Sequence, residues 1–160
     1  MTGPSTRPLT AADEHLLRVA TLGNLNWAED RFTMRDVTDR PEFAHYTRLE
    51  PGRGDLGFVA EDGDRAVGVV WALFLPNEDR GYGFVDPLTP ELSLWVHADD
   101  RGRGVGRHLL QRLKTEAARR GISSISLSVE RGNVARHLYE SEGFQAVPGR
   151  ESDGVLVWTP

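Results

Sequence analysis

The chain contains no cysteine. That excludes disulfides, thiolate metal sites and a cysteine nucleophile, and it makes a reducing cytoplasm the default expectation for location. No apolar run approaches the roughly 18 residues a membrane helix requires, so no membrane association is expected. The opening MTGPSTRPLTAADEH has no hydrophobic leader core, and secretion is not expected either. Basic residues are not in excess: 19 Lys and Arg face 24 Asp and Glu, for a net charge of −5. A nucleic-acid partner would call for a basic face, so none is expected. The histidines, His15, His45, His97, His108 and His137, show neither paired spacing nor an H-E-x-x-H motif, and no metal site is expected. What remains is the composition of one folded domain over residues 1–160, with residues 1–8 read as a flexible lead.

Periodicity gives the order of elements. Residues 9–27 carry Leu16, Leu17, Val19, Ala20 and Leu22 at helical spacing, with Thr10 as the cap. Residues 28–56 suggest one or two short helices, broken at Pro41 and at Pro51-Gly52. Residues 57–61 and 66–74 read as strands joined at Asp62-Gly63-Asp64, a hairpin signal. Residues 77–90 are polar and aromatic, either a loop or a short strand around Tyr82 to Val85. From Glu91 to His97 the chain alternates, with Leu92, Leu94 and Val96 on one face and Glu91, Ser93 and Trp95 on the other. A helix ending at Gly121 follows, then a second alternating strand over 122–129. Asn133 is placed to cap a helix running to about Glu142 and stopped by Gly143, and strands at 144–147 and 155–158 close the chain. This order predicts a mixed α/β sheet in one domain, with a ligand where the central strand gives way to the following helix.

That junction holds the most informative stretch, Arg101-Gly102-Arg103-Gly104-Val105-Gly106-Arg107. Glycines let backbone amides turn toward a ligand, and a helix start adds unpaired amides and partial positive charge. Arginines there oppose the helix dipole at about 0.3–1 kcal/mol each, so helix stability alone does not explain them. The combination predicts an anionic ligand, with phosphate the usual one. A P-loop is excluded because Gly106 is followed by Arg107-His108 rather than Lys and Ser or Thr. A dinucleotide G-x-G-x-x-G is excluded too: the third glycine would fall at Arg107 or at Leu109.

The spacing that fits is Arg-x-x-Gly-x-Gly, at Arg101, Gly104 and Gly106. It resembles the pyrophosphate-binding motif of the GNAT superfamily of N-acetyltransferases. The segment LSVERGNVARHLYESEGF, residues 127–144, resembles that superfamily's strand, Asn-headed helix, tyrosine and closing Gly-Phe. The strand PELSLWV, residues 90–96, matches in place. The resemblance covers residues 57–147 well and the N-terminal third loosely. His97-Ala98 and Val134 depart from residue types common in the family, and residues 77–90 remain unassigned. The resemblance implies a GNAT-like fold: a central, mostly antiparallel sheet splayed at the cofactor strand and flanked by about four helices. It also implies acetyl-CoA as cosubstrate. The pyrophosphate would be held by backbone groups of Arg103, Gly104, Val105, Gly106 and Arg107, with Gly102 in the loop and charge from Arg101 and Arg107. Backbone groups of Leu94, Trp95 and Val96 would pair with the pantetheine arm like an added strand. Asn133 is first a cap and secondarily a cofactor contact.

Acetyl transfer to an amine needs a base for the ammonium and an acid for the departing thiolate. The resemblance puts Tyr139 in the acid position, whereas spacing alone reads it as a packing residue of an amphipathic helix. Glu91, at the start of the central strand, is the base candidate, directly or through a water it holds; His97 is the runner-up. The serines at 124, 126 and 128 lack a G-x-S-x-G elbow and read as ordinary strand patterning. Trp27, Tyr82 and Phe84 are candidates for the acceptor pocket, as are Phe32 and Trp95, with Glu29, Asp30 or Asp86 to attract an amine. The expected activity is therefore direct acetyl transfer to a primary amine of a small molecule or a protein N-terminus. A non-catalytic CoA-binding or interaction module and a nucleotide-phosphate binder are the rivals. A homodimer is compatible with the chain, and nothing in the sequence requires one.

Overall fold

A computed structural model of the chain describes residues 3–160. One seven-stranded sheet runs through it in the order β1-β2-β3-β4-β5-β7-β6. The strands are β1 (Ser5–Pro8), β2 (Leu56–Asp62), β3 (Arg65–Leu73), β4 (Glu91–Val96), β5 (Ile125–Ser128), β6 (Gln145–Ala146) and β7 (Val155–Trp158). All neighbours pair antiparallel except β4 and β5, which run parallel. Five helices accompany the sheet rather than about four: α1 (Glu14–Leu25), α2 (Met34–Asp39), α3 (Pro41–Ala44), α4 (Val105–Arg119) and α5 (Ala135–Ser141). Two short helices occupy residues 34–44 and are divided at Pro41, as the sequence suggests: α2 stops at Asp39, and Pro41 opens α3 from the first turn, where its missing N–H costs nothing. Residues 5–8, expected to be flexible, form the edge strand β1 in register with residues 58–61 of β2. Residues 1–2 of the expected lead lie outside the described residues.

Both faces of β3 are covered, which explains its unbroken apolar run. Val70 and Ala72 face one core with Leu109, Leu110 and Leu113 of α4; Val69, Trp71 and Leu73 face another with Leu17 and Ala20 of α1. β4 divides the same way: Leu92, Leu94 and Val96 join the α4 side, and Trp95 joins the α1 side. Helix α1 lies close on β4, since a Cβ at Gly23 would collide with the Trp95 indole. Thr10 heads the α1 region with a capping box to Asp13, as its position predicts. Asn133 works one residue early: its Oδ1 accepts from the Ala135 amide at 3.0 Å, and α5 starts at Ala135. The strand expected over 122–129 shortens to Ile125–Ser128.

The parallel pair determines what the sheet can do. β4 and β5 share one register pair, Glu91 with Ser126, and the Ser126 amide donates to the Pro90 carbonyl at 3.0 Å. From Leu92 to Val96, β4 is laddered to β3 but has no β5 partner. The strands part there, and α4 begins just beyond the carboxyl end of β4. Residues 77–90 form no regular strand; they cross the α1 face of this region and pack Gly83 directly against the β5 backbone.

Because α4 closes the core below the split, truncating it should be costly. Leu110→Ala, at a fully buried position, is expected to lower unfolding free energy by about 2–5 kcal/mol. Val134→Ala, at a position 77% exposed, is expected to stay within about 0.5 kcal/mol. Urea denaturation of the two variants checks this contrast.

Candidate active site

The cleft at the split has a volume of about 420 Å³. One half is lined by Leu92, Ser93 and Leu94 of β4, by Ser128, Val129 and Glu130 at the end of β5, and by Asn133, Ala135 and Tyr139. The other half is aromatic: Trp27, Phe32, Phe43, Tyr46 and Tyr82, with Thr21, Asn24 and Arg31 from α1 and the turn after it. Glu91 lies on the same wall. Sequence-predicted residues from four separate segments thus meet in one place: Glu91, Leu94, Asn133, Tyr139, Trp27 and Tyr82.

Other candidates lie elsewhere. Phe84 is buried and outside the cleft wall, with Arg80 5.0 Å above its ring. It is part of what holds the 77–90 segment down, not a wall of the pocket. Glu29, Asp30 and Asp86 do not line the cleft either; Glu130 and Asp153 are its peripheral acids. Glu130 accepts from the Trp27 indole at 3.0 Å and from Arg31 at 3.1 Å. His97 points away, with Nδ1 accepting from the Asp99 amide. The side chain of Trp95 packs against α1. Its pairing with Val69, one step along the ladder from the His97 N–H to Val67 O bond, turns its backbone groups toward β3, so the groups facing the split are those of Leu94 and Val96.

Glu91 is 4% exposed. Its Oε2 accepts from the Tyr46 hydroxyl at 2.7 Å, and its Oε1 has no partner among the described residues. Among the described residues no cation offsets its charge, so burial pushes its pKa up to about 7, against a smaller pull downward from the Tyr46 hydroxyl and the Gly83 amide. The other buried carboxylates differ. Asp55 is bonded to Arg53 at 2.7 Å, Asp100 to Arg65 at 2.9 Å and Arg103 at 3.0 Å, and Glu142 to Lys114 at 3.1 Å and also to Arg107. Among the described residues, the buried acid without a cation is the one in the cleft. Two more orphaned polar atoms lie nearby in the fold: Ser126 Oγ, whose residue is the register partner of Glu91, and Thr21 Oγ1 on the cleft wall. The serine row therefore includes one hydroxyl buried at the foot of the split.

Tyr139 is 7% exposed and stacks edge-on against Phe144, with centroids 5.9 Å apart. Its hydroxyl makes no hydrogen bond among the described residues, and burial pushes its pKa up, so the phenol stays protonated.

At the Arg-Gly run, Gly102 and Gly104 have φ of 76° and 82°, the left-handed region that disfavours side chains. Gly104 heads α4, and the first helical bond is His108 N–H to Gly104 O at 3.0 Å. The amides of Val105, Gly106 and Arg107 have no partners among the described residues, so the loop has the free donors a pyrophosphate requires. A Cβ at Gly106 would reach Leu138, Val96 and Leu94 within 3.4–3.6 Å, which places this turn beside the open part of β4. The arginines are less free than the sequence suggests. Arg107 is ion-paired to Glu142 and Arg103 to Asp100; Arg101, bonded to the Val96 carbonyl at 3.3 Å, has no carboxylate partner among the described residues. The amides and Arg101 are what suit an anion here. Arg103 and Arg107 serve largely to fix the loop.

Sequence reasoning missed Tyr46, Thr21, Arg31 and Glu130. Tyr46 reads as one apolar position in an irregular segment, and no motif marks it. Only the fold brings it to Glu91, 45 residues away.

Comparison with known proteins agrees with this architecture. The Acetyltransferase (GNAT) family matches residues 21–144. A mycothiol acetyltransferase of Geodermatophilus obscurus is 32% identical over 123 residues, 71% of this chain and 39% of that protein. The L-amino acid N-acyltransferase MnaT of Escherichia coli is 44% identical over 57 residues, 35% of this chain and 33% of that protein. The chain thus spans about two fifths or less of the length of these two relatives. Among solved structures, the PaiA N-acetyltransferase of Thermoplasma acidophilum in complex with coenzyme A superposes with a TM-score of 0.72. It covers 99% of this chain and 100% of that one at 16% identity. The Salmonella typhimurium YncA, a putative acetyltransferase with its cofactor acetyl-CoA, gives a TM-score of 0.64 at 25% identity, over 91% and 82% of the two chains. With the split sheet, the glycine-headed α4 and the Asn133–Phe144 segment all in place, the chain belongs to the GNAT acetyltransferase family.

Proposed function

We propose that the protein is an acetyl-CoA-dependent N-acetyltransferase acting on a primary amine of a small molecule or a protein N-terminus. The observation that carries this reading is Glu91, a buried carboxylate with no cation beside it, in the cleft where β4 and β5 part. Acetyl-CoA, when bound, supplies an acyl group activated as a thioester. The Val105, Gly106 and Arg107 amides and Arg101 would hold its pyrophosphate, and the backbone groups that face away from β3 in the stretch Leu94 to Val96 would hold its arm. The lack of cysteines fits a cytoplasmic site of action.

Glu91 takes the proton that an ammonium group must lose before its nitrogen can attack. With a pKa near neutrality it is ionised enough to accept and basic enough to matter. Its bare Oε1 suits a water that carries the proton to it. Tyr139 supplies the opposite service: its phenol, held protonated by burial, gives its hydrogen to the departing sulfur. The aromatic half of the cleft suits the apolar body of an acceptor, and Glu130 and Asp153 at its edge favour a cationic amine.

Glu91→Gln is expected to lower kcat/KM for an amine by about 10²-fold or more, and Tyr139→Phe by a similar factor, with CoA binding retained in both. A thiol-release assay over an amine panel checks this; binding without amine-stimulated release would instead favour a non-catalytic CoA-binding module. The pH dependence has a definite sign. Activity should rise with pH and level off above about 7 as Glu91 ionises. Stability should run the other way. A carboxyl whose folded pKa is raised loses its stabilising contribution as pH rises through that value. The Tm of Glu91→Gln should therefore match wild type near pH 5 and exceed it near pH 8. At the cradle, Gly104→Val forces a branched side chain into a left-handed backbone, a strain of about 1–2 kcal/mol. Titration calorimetry should show CoA binding weakened about tenfold.

A further inference from the structure

Tyr46 occupies a position that no part of the proposed chemistry requires and that the geometry makes hard to dismiss. It sits in the short 3-10 turn after α3, 8% exposed, with its ring edge-on to His45 at 4.3 Å. Its backbone carbonyl accepts from the Trp71 indole at 2.9 Å, which fixes the turn to β3. Its hydroxyl has two partners. It donates to Glu91 Oε2 at 2.7 Å and accepts from the Tyr82 amide at 2.8 Å. The same hydroxyl therefore ties the cleft carboxylate to the 77–90 segment, which carries the half-exposed Tyr82 to the cleft mouth. Gly81 closes the arrangement from above: a Cβ there would collide with Glu91 Oε1 and come within 2.5 Å of Tyr46 Oη.

Without this contact Glu91 would have little to orient it. Among the described residues it makes no ion pair. The elements packed around it offer Tyr46 from the 3-10 turn, Tyr82 and the Gly83 amide from residues 77–90, Ser126 from β5 and Thr21 from α1. Tyr46 and Tyr82 are the titratable groups of that set, and neither is charged near neutrality.

We propose that Tyr46 is a positioning residue: its hydroxyl holds Glu91 by Oε2, leaving Oε1 as the proton-accepting atom, and couples the carboxyl to the acceptor-side segment through the Tyr82 amide. This rests on Glu91 being the base. A hydrogen bond donated to a carboxylate favours the charged form, so removing it makes the group harder to ionise. The hydroxyl's second bond means its loss also releases residue 82 at the mouth of the cleft.

The test is Tyr46→Phe, which keeps the ring in the core and the backbone bond from Trp71. The expected result is an acid limb of the kcat/KM profile displaced upward by about half a pH unit or more. The KM for the amine should rise severalfold, with the KM for acetyl-CoA unchanged. A carbon-13 NMR titration of the Glu91 carboxyl, assigned by its loss in Glu91→Gln, should move in the same direction and does not depend on turnover. A merely structural tyrosine would lower Tm and leave both titrations in place; that outcome overturns the proposal. If the NMR titration shifts with Tyr46→Phe while Glu91→Gln retains full activity and its acid limb, the base assignment fails and the hydrogen bond stands, which keeps the two ideas separable.

Discussion

The structure depends on the failure of two parallel strands to stay together. β4 and β5 meet at Glu91 and Ser126 and separate beyond them. An unpaired strand edge normally invites solvent or another chain. Here its open stretch is flanked by α4 on one face and α1 on the other, and by α5 and residues 77–90 at the cleft. The result is a run of backbone donors and acceptors that stays ordered because its other side is fully laddered to β3. A straight, fully paired sheet of the same strands would have no cleft. The start of α4 would then have nothing to face.

The two ends of that opening are built differently because they suit different chemistry. At the end beside α4, left-handed glycines and the helix start expose amides. Around them Asp100 draws in Arg65 and Arg103, and Glu142 draws in Lys114 and Arg107. Those ion pairs fix the loop and leave the amides of Val105, Gly106 and Arg107 without partners among the described residues. At the closed end, Glu91 and Ser126 are buried with little polar company. Charge is neutralised at one end and left uncompensated at the other.

What was legible in the sequence follows the same division. The glycine-rich head of α4 and the segment from Leu127 to Phe144 carry their information locally, in glycine spacing and a capping asparagine, so both could be placed by number. The alternation of Glu91 to Val96 also survived intact, since both faces of that strand are covered by one helix layer each. The aromatic half of the cleft was not legible. Trp27 and Tyr82 could be named as candidates, but Phe84 looked the same and is buried elsewhere. Aromatic residues in irregular segments have no period from which to read a face. Tyr46 was invisible for a stronger reason: its meaning lies in one hydrogen bond to a residue 45 positions away. The break at Pro41 was legible for a simpler reason, because proline stops a helix from within and starts one from its first turn.

Glu91 also shows how such a site coexists with a stable domain. Burying a carboxylate without a cation is unfavourable unless the group can take up a proton, and a pKa near 7 is the compromise between the two. An arginine at this place, as Asp55 has in Arg53, would hold the carboxylate ionised and strip it of basicity. An apolar lining with no hydroxyl at all would push the carboxyl higher still and keep it protonated at neutral pH. One tyrosine hydroxyl lies between these extremes: it stabilises the charge in part and carries none of its own. The same reasoning explains why the partner is a phenol on a rigid turn rather than a flexible side chain. The hydroxyl must already be in place when the carboxylate loses its proton, because a group only 4% exposed has little bulk solvent to rearrange around the new charge. Tyr46 is fixed by the bond from Trp71 to its carbonyl, by His45 against its ring and by the Tyr82 amide on its hydroxyl. The basicity of the cleft is thus set by packing outside it.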